Sequence, residues 1–208
     1  MNKTLNILLG AMLLAGSASA FAASSVDLTV TGIITPSACT PTLSSGGTVD
    51  YGKISAKDLN PDQATWLKSQ TLQLAVNCDA ATLMAVEAKD NRAGSSYISG
   101  DPLLFGLGLI NGTEKLGAML IGLRSPVADG VPARTIYSYD GGSTWNTGND
   151  LEWNTLISVA DTSTVAPIPV QSFTSDLRIS PKIAPTNQLT LTNEVSIDGS
   201  VTLTVRYL

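Results

Sequence analysis

Hydrophobic and polar residues alternate at several places along this chain, most cleanly at its two ends. Near the start, Val26, Leu28, Val30, Gly32 and Ile34 are separated by polar residues that include Asp27, Thr29 and Thr31. Near the finish, Val201, Leu203, Val205 and Tyr207 share one face of a segment ending at Leu208. A period of two is the signature of a strand with one dry face and one wet face. Between the ends, strand-like runs recur over Thr48 to Ile54, Gln70 to Cys78, Thr82 to Ala88, Val170 to Ile179 and Gln188 to Ile197. Leu103 to Leu123 reads as a hairpin that turns on Asn111 to Lys115, and Arg134 to Trp145 as another. Asp198-Gly199 is a strong tight-turn signal between the run ending at Ile197 and the last strand.

Helical periodicity is weak, and the best candidate is a short turn from Asn60 to Lys68. The Gly- and Ser-rich stretch from Asn91 to Gly100 reads as a long surface loop. Many short strands with Gly, Asn and Asp turns predict an all-β sandwich. No linker divides the chain after its first residues. On pattern alone, the first and last strands would serve as well paired with each other inside one sandwich as in any other arrangement.

What precedes the first strand changes the picture. Residues 1–22 carry one basic residue, Lys3, then an apolar run from Ile7 to Ala15, then small residues. That is the layout of a secretory signal peptide, too short and wrongly flanked for a membrane anchor. Ala18-Ser19-Ala20 and Ala20-Phe21-Ala22 both satisfy the small-x-small cleavage rule. Cleavage after Ala22 is preferred, and it places the patterned strand close to the new amino end.

Removing Lys3 leaves 11 basic against 17 acidic residues. This balance argues against nucleic acid and anionic membranes as partners. In an exported chain, the single cysteine pair, Cys39 and Cys78, is most simply a disulfide. There is no histidine, so Ser-His and Cys-His nucleophile pairs are impossible. Two cysteines alone do not make a zinc site. Asp150 and Glu152 could be imagined as a glycosidase pair, but they lie in a polar stretch that reads as solvated. No enzyme activity, cofactor or metal is expected.

The chain resembles the pilin subunits of the chaperone–usher pathway. The resemblance rests on the alternating N-terminal strand with Gly32 seven residues before Cys39, on "TVDYGKI" after that cysteine, on Cys78 closing "LQLAVNC", and on the penultimate Tyr207. Within that family it looks closest to a fimbrial-like group of exported proteins. The resemblance implies an incomplete immunoglobulin-like (pilin-type) β-sandwich with an N-terminal donor-strand extension. Residues 1–22 would be the signal peptide, 23–33 the extension and 34–208 a single sandwich domain. By the same resemblance, Val26, Leu28, Val30, Gly32 and Ile34 complete a neighbouring subunit's sheet. Val201, Leu203, Val205 and Tyr207 would line the groove strand, where a periplasmic pilus chaperone first lends its own strand. The implied partners are that chaperone, an outer-membrane usher and neighbouring fimbrial subunits in a homo- or hetero-polymer. The implied route runs through the periplasm to a cell-surface fimbrium.

One motif stands apart. Ser138, Asp140, Gly142, Thr144 and Trp145 fit the Asp-box pattern Ser-x-Asp-x-Gly-x-Thr-Trp. Asp140 can accept backbone amides across the turn, Gly142 can supply a positive φ, and Trp145 can pack beneath. A single copy cannot build a propeller, so a structural hairpin is the expected role. A surface near Trp145 and Trp153 that contacts a host glycan is the competing one, within an adhesin module. A secreted sialidase-like enzyme is the remaining reading.

Overall fold

A computed structural model describes residues 28–32 and 38–208. The chain divides into two compact units, 1–34 and 35–208. In the first, residues 28–32 form no regular secondary structure, and Leu28 and Val30 are exposed. The proposed signal peptide, Val26 and Ile34 lie outside the described residues.

The second unit is built from eight strands of five residues or more. They are β1 (Cys39–Leu43), β2 (Gln70–Thr82), β3 (Met84–Asp90), β4 (Gly117–Ala128), β5 (Arg134–Ser138), β6 (Leu156–Ala160), β7 (Val170–Ile183) and β8 (Val201–Tyr207). One sheet runs β1–β2–β7–β4, with Phe105–Gly106 beyond β4 and Thr65–Trp66 added beside the end of β7. The other runs β5–β6–β3–β8, with Asn146–Thr147 outside β5. Every ladder among the described residues is antiparallel. The expected all-β sandwich is the observed fold.

The dry faces of the two sheets make the core. On β2 the inward set is Leu72, Leu74, Val76 and Cys78, and on β7 it is Phe173, Leu177, Ile179 and Ile183. Met119, Ile121 and Leu123 of β4 continue that layer, and Met84, Ile157 and Val159 come from the second sheet. Residues i and i+2 share a face, so these alternating runs bury one side and wet the other. Cys39 lies directly opposite Cys78 in the β1–β2 register, and the two are disulfide-bonded.

Four local expectations differ from the structure. Asn60 to Lys68 is not helical; a short 3-10 turn falls earlier, at Ala56–Asp58, and Thr65–Trp66 pairs with β7. Thr48 to Ile54 and Gln188 to Ile197 form no strand ladder. Asp198-Gly199 is not a hairpin turn: Asp198 accepts two bonds from the Arg92 guanidinium, and its N–H donates to Leu107. A central strand, β6, was not expected. Its residues from Ile157 to Ala160 are all buried, so it shows no alternation. A buried strand reads as a short apolar run that periodicity alone does not identify.

Both hairpins are present. Asn111 and Gly112 adopt positive φ at the turn between Leu109–Ile110 and Glu114–Lys115. The Asp-box loop joins β5 to Asn146–Thr147.

Candidate functional site: an open groove between two sheet edges

Among the described residues, β8 is the last strand of its sheet and pairs only with β3, and β1 is the last strand of the other and pairs only with β2. The two edges meet at one point, where the Cys39 N–H donates to the Tyr207 hydroxyl at 3.0 Å. The Tyr207 ring is partly exposed, and the edge backbone supplies a partner for its polar tip.

After β1 the chain turns through Ser45, Gly46 and Gly47, all at positive φ. Two adjacent glycines make that left-handed path cheap. Beyond the turn, Val49 packs against the core and Tyr51 lines the cavity beside it, yet the segment has no ladder partner among the described residues. The second unladdered segment behaves alike: Leu189, Leu191 and Val195 pack inward. It is held by side chains instead. The Glu114 carboxylate accepts the Thr190 N–H at 2.6 Å, which holds its pKa below the ordinary range. Arg92 does the same for Asp198. Lys53 and Glu194 join the two segments at 2.7 Å, but both are solvent-exposed, and such pairs contribute little.

A cavity of about 240 Å3 lies between these segments and β8, and a second of about 800 Å3 lies between the two segments; they share Val49, Tyr51 and Ile197. Leu72, Met119, Ile179, Val201 and Leu203 line the smaller one, and Leu59, Leu116, Ile183 and Leu191 the larger. The Tyr51 hydroxyl is buried without a partner among the described residues, and that burial raises its pKa. Asp50, Lys53 and Glu194 stand along the larger cavity, while the smaller one is lined largely by core residues and bordered by a strand edge with no partner among the described residues. An edge of this kind is a template for another strand.

The structure places the sequence-selected residues as follows. Val201, Leu203 and Val205 are half-buried on the core-facing side of β8, and Tyr207 is more exposed. Gly32 has no neighbour within 4 Å of a would-be Cβ. What the sequence reading missed is the second border, residues 189–200. Its dry face was legible, but its lack of a ladder was not.

The Asp-box residues come together in one turn. Asp140 accepts from the backbone N–H groups of Ser143 and Thr144 and from the Ser138 and Thr144 hydroxyls. Gly142 sits at φ +98, and Trp145 Nε1 donates to the Gly142 carbonyl. Trp153 Nε1 is committed to the Asp101 carbonyl. Both indole N–H groups are thus used within the chain. Asp150 pairs with Arg124 at 2.7 Å, and Glu152 accepts from the Tyr139 hydroxyl, which raises the tyrosine pKa.

These donors, led by the Thr144 amide and hydroxyl, lower the Asp140 pKa to about 2. A carboxylate whose folded pKa is depressed contributes stability that is present above its unfolded value. That contribution disappears as pH falls from about 3.8 through about 2. The Asp140 carboxyl carbon is therefore expected to titrate near pH 2 by NMR, and in the Thr144→Val variant at a higher pH. A wild-type midpoint near 3.8 would contradict the turn as described.

A protein-family model described as a protein of unknown function (DUF1120) matches residues 28–102. Two proteins of Escherichia coli (strain K12) match along their whole lengths. Protein GltF is 31% identical over 98% of each chain. Uncharacterized protein YhcF is 28% identical over 100% of each.

Proposed function

We propose that this chain, which belongs to the DUF1120 family, is a structural subunit of a bacterial surface fimbria assembled by donor-strand complementation and exchange. One observation carries this reading. Among the described residues, two segments with strand patterning, 48–54 and 188–197, pack apolar side chains on the core yet have no ladder, and Val49, Tyr51 and Ile197 from them line the same cavity as Val201 and Leu203 of β8, whose outer edge has no partner. A sandwich one strand short would look this way, because pattern and burial are satisfied while the hydrogen-bond partner is missing. An extended peptide entering the groove would gain main-chain bonds from the edge and seat alternate side chains in the cavities. A periplasmic chaperone fills the groove first, and the N-terminal strand of a neighbouring subunit then replaces it. The usher at the outer membrane is where that exchange leads to the fimbrium.

Two substitutions on one strand test the reading. Leu203 faces the core side of β8 and lines the cavity, whereas Thr204 faces away. Co-expressed with the pilus chaperone in the periplasm, the wild type and Thr204→Lys are expected to co-purify as one-to-one complexes. Leu203→Lys is expected to lose at least tenfold in yield, since its charge would be buried unpaired. Equal yields for the two lysine variants would refute strand capture in this groove.

A further inference from the structure

The outer face of the first sheet carries a second concavity, of about 400 Å3, that crosses β7 and β4. Its floor is Arg178 and Ser180 of β7 with Gly122 of β4, one wall is Trp66, and the other is Asp150. Trp66 pairs directly with Lys182, so both side chains leave the same face of the sheet. The Lys182 ammonium lies 4.8 Å from the centroid of the Trp66 ring, and about half of Trp66 is exposed. On the far side, Asp150 bridges to Gly122 and is fixed by the Arg124 guanidinium at 2.7 Å. A Cβ at Gly122 would collide with the Asp150 carboxylate and the Arg124 guanidinium. Glycine is what lets this wall approach the sheet.

The charges in the cleft are unevenly used. Arg124 is committed to Asp150 and to the Leu123 and Asn149 carbonyls. Arg178 has only a 3.3 Å bond to the Ser69 hydroxyl, which in turn lies 2.8 Å from the Ser180 hydroxyl. Among the described residues, neither Arg178 nor Lys182 forms an ion pair, although Asp176 lies on the same strand. In a chain of net charge −5, these two cations thus stand beside a half-exposed indole with no carboxylate partner among the described residues.

We propose that this cleft binds a carboxylated sugar, a uronate or a sialate. The indole takes the apolar face of the pyranose ring, leaving its hydroxyl edges free. The Arg178 fork takes the carboxylate in the planar, two-bond geometry that guanidinium favours. The Ser69 and Ser180 hydroxyls and the free Asp150 oxygen offer bonds to ring hydroxyls. The cleft lies on the outer face, opposite the core, so binding does not require the groove to be filled.

The test uses the full mature chain with three probes: a glucuronate-containing hyaluronan tetrasaccharide, 3′-sialyllactose, and lactose as the neutral control. Tryptophan fluorescence and saturation-transfer NMR read the binding. At least one acidic probe is expected to bind ten or more times tighter than lactose, and to weaken as salt is raised. Which acidic probe binds identifies the sugar. Arg178→Gln is expected to reduce that probe to the level of lactose with an unchanged melting temperature, and Trp66→Ala to remove binding. No saturable binding by either acidic probe, equal binding of lactose, or undiminished binding in Arg178→Gln would overturn the proposal.

Discussion

A mature chain lacking residues 23–31 is expected to be captured by the chaperone as well as the full chain, yet to form no subunit–subunit complexes. The reason is a division of labour along the sequence. Among the described residues, the core is drawn from 39–205, while Leu28 and Val30 are exposed and form no strand. Transferring Val26, Leu28, Val30 and Ile34 into an apolar groove is worth roughly 6–12 kcal/mol before ordering costs. A synthetic peptide spanning residues 24–34 should bind the truncated subunit and displace its chaperone. Leu28→Asp in that peptide should weaken binding at least a hundredfold, roughly 3 kcal/mol, because the charge enters the groove unpaired. A one-residue slip would turn Asp27 and the threonines inward, so a peptide with Val26, Leu28 and Val30 each moved one place along should fail as well. A truncated chain that unfolds even with chaperone, or an intact chain that is a stable monomer unable to exchange strands, would sink the fimbrial reading.

Replacing Cys39 and Cys78 together by serine is expected to lower the unfolding free energy by ~4 kcal/mol, on the loop-closure account of a cross-link between residues this far apart. The separation of 39 residues sets that size. The local structure points the same way. β1 is five residues long, lies at the edge of its sheet and is mostly exposed, so beyond its ladder with β2 few contacts hold it. Its tie to β8 is the Cys39 N–H to Tyr207 bond, which would loosen with it. Domain stabilities are about 5–15 kcal/mol, so the loss should be plain in urea unfolding of the oxidised protein against the double variant. A difference below about 1 kcal/mol would show that β1 is pinned by something other than its disulfide.

Much of this architecture follows from the linear pattern. The strand-like runs at 70–78, 82–88, 170–179 and 201–207 became strands because each had a dry face to bury and a neighbour to bond. The cysteine pair, in a chain with no other thiol, became the disulfide. The Asp-box turn was legible because its bonds run among residues within a few positions of one another. Local chemistry of that kind needs no tertiary information.

Other features were decided only when the chain was folded. Segments 48–54 and 188–197 carry the same alternation as true strands, but a ladder needs a partner at about 4.8 Å, and pattern cannot say whether one is present. β6 went unseen because burial on both faces erases the period of two. The outer cleft joins Trp66, Gly122, Asp150 and Arg178, residues brought together only by the pairing of β7 with β4 and with Thr65–Trp66. Periodicity along the chain determined which faces are dry. Which edges find a partner, and which are left open, depends on pairings across the whole sheet, and those are properties of the tertiary structure alone.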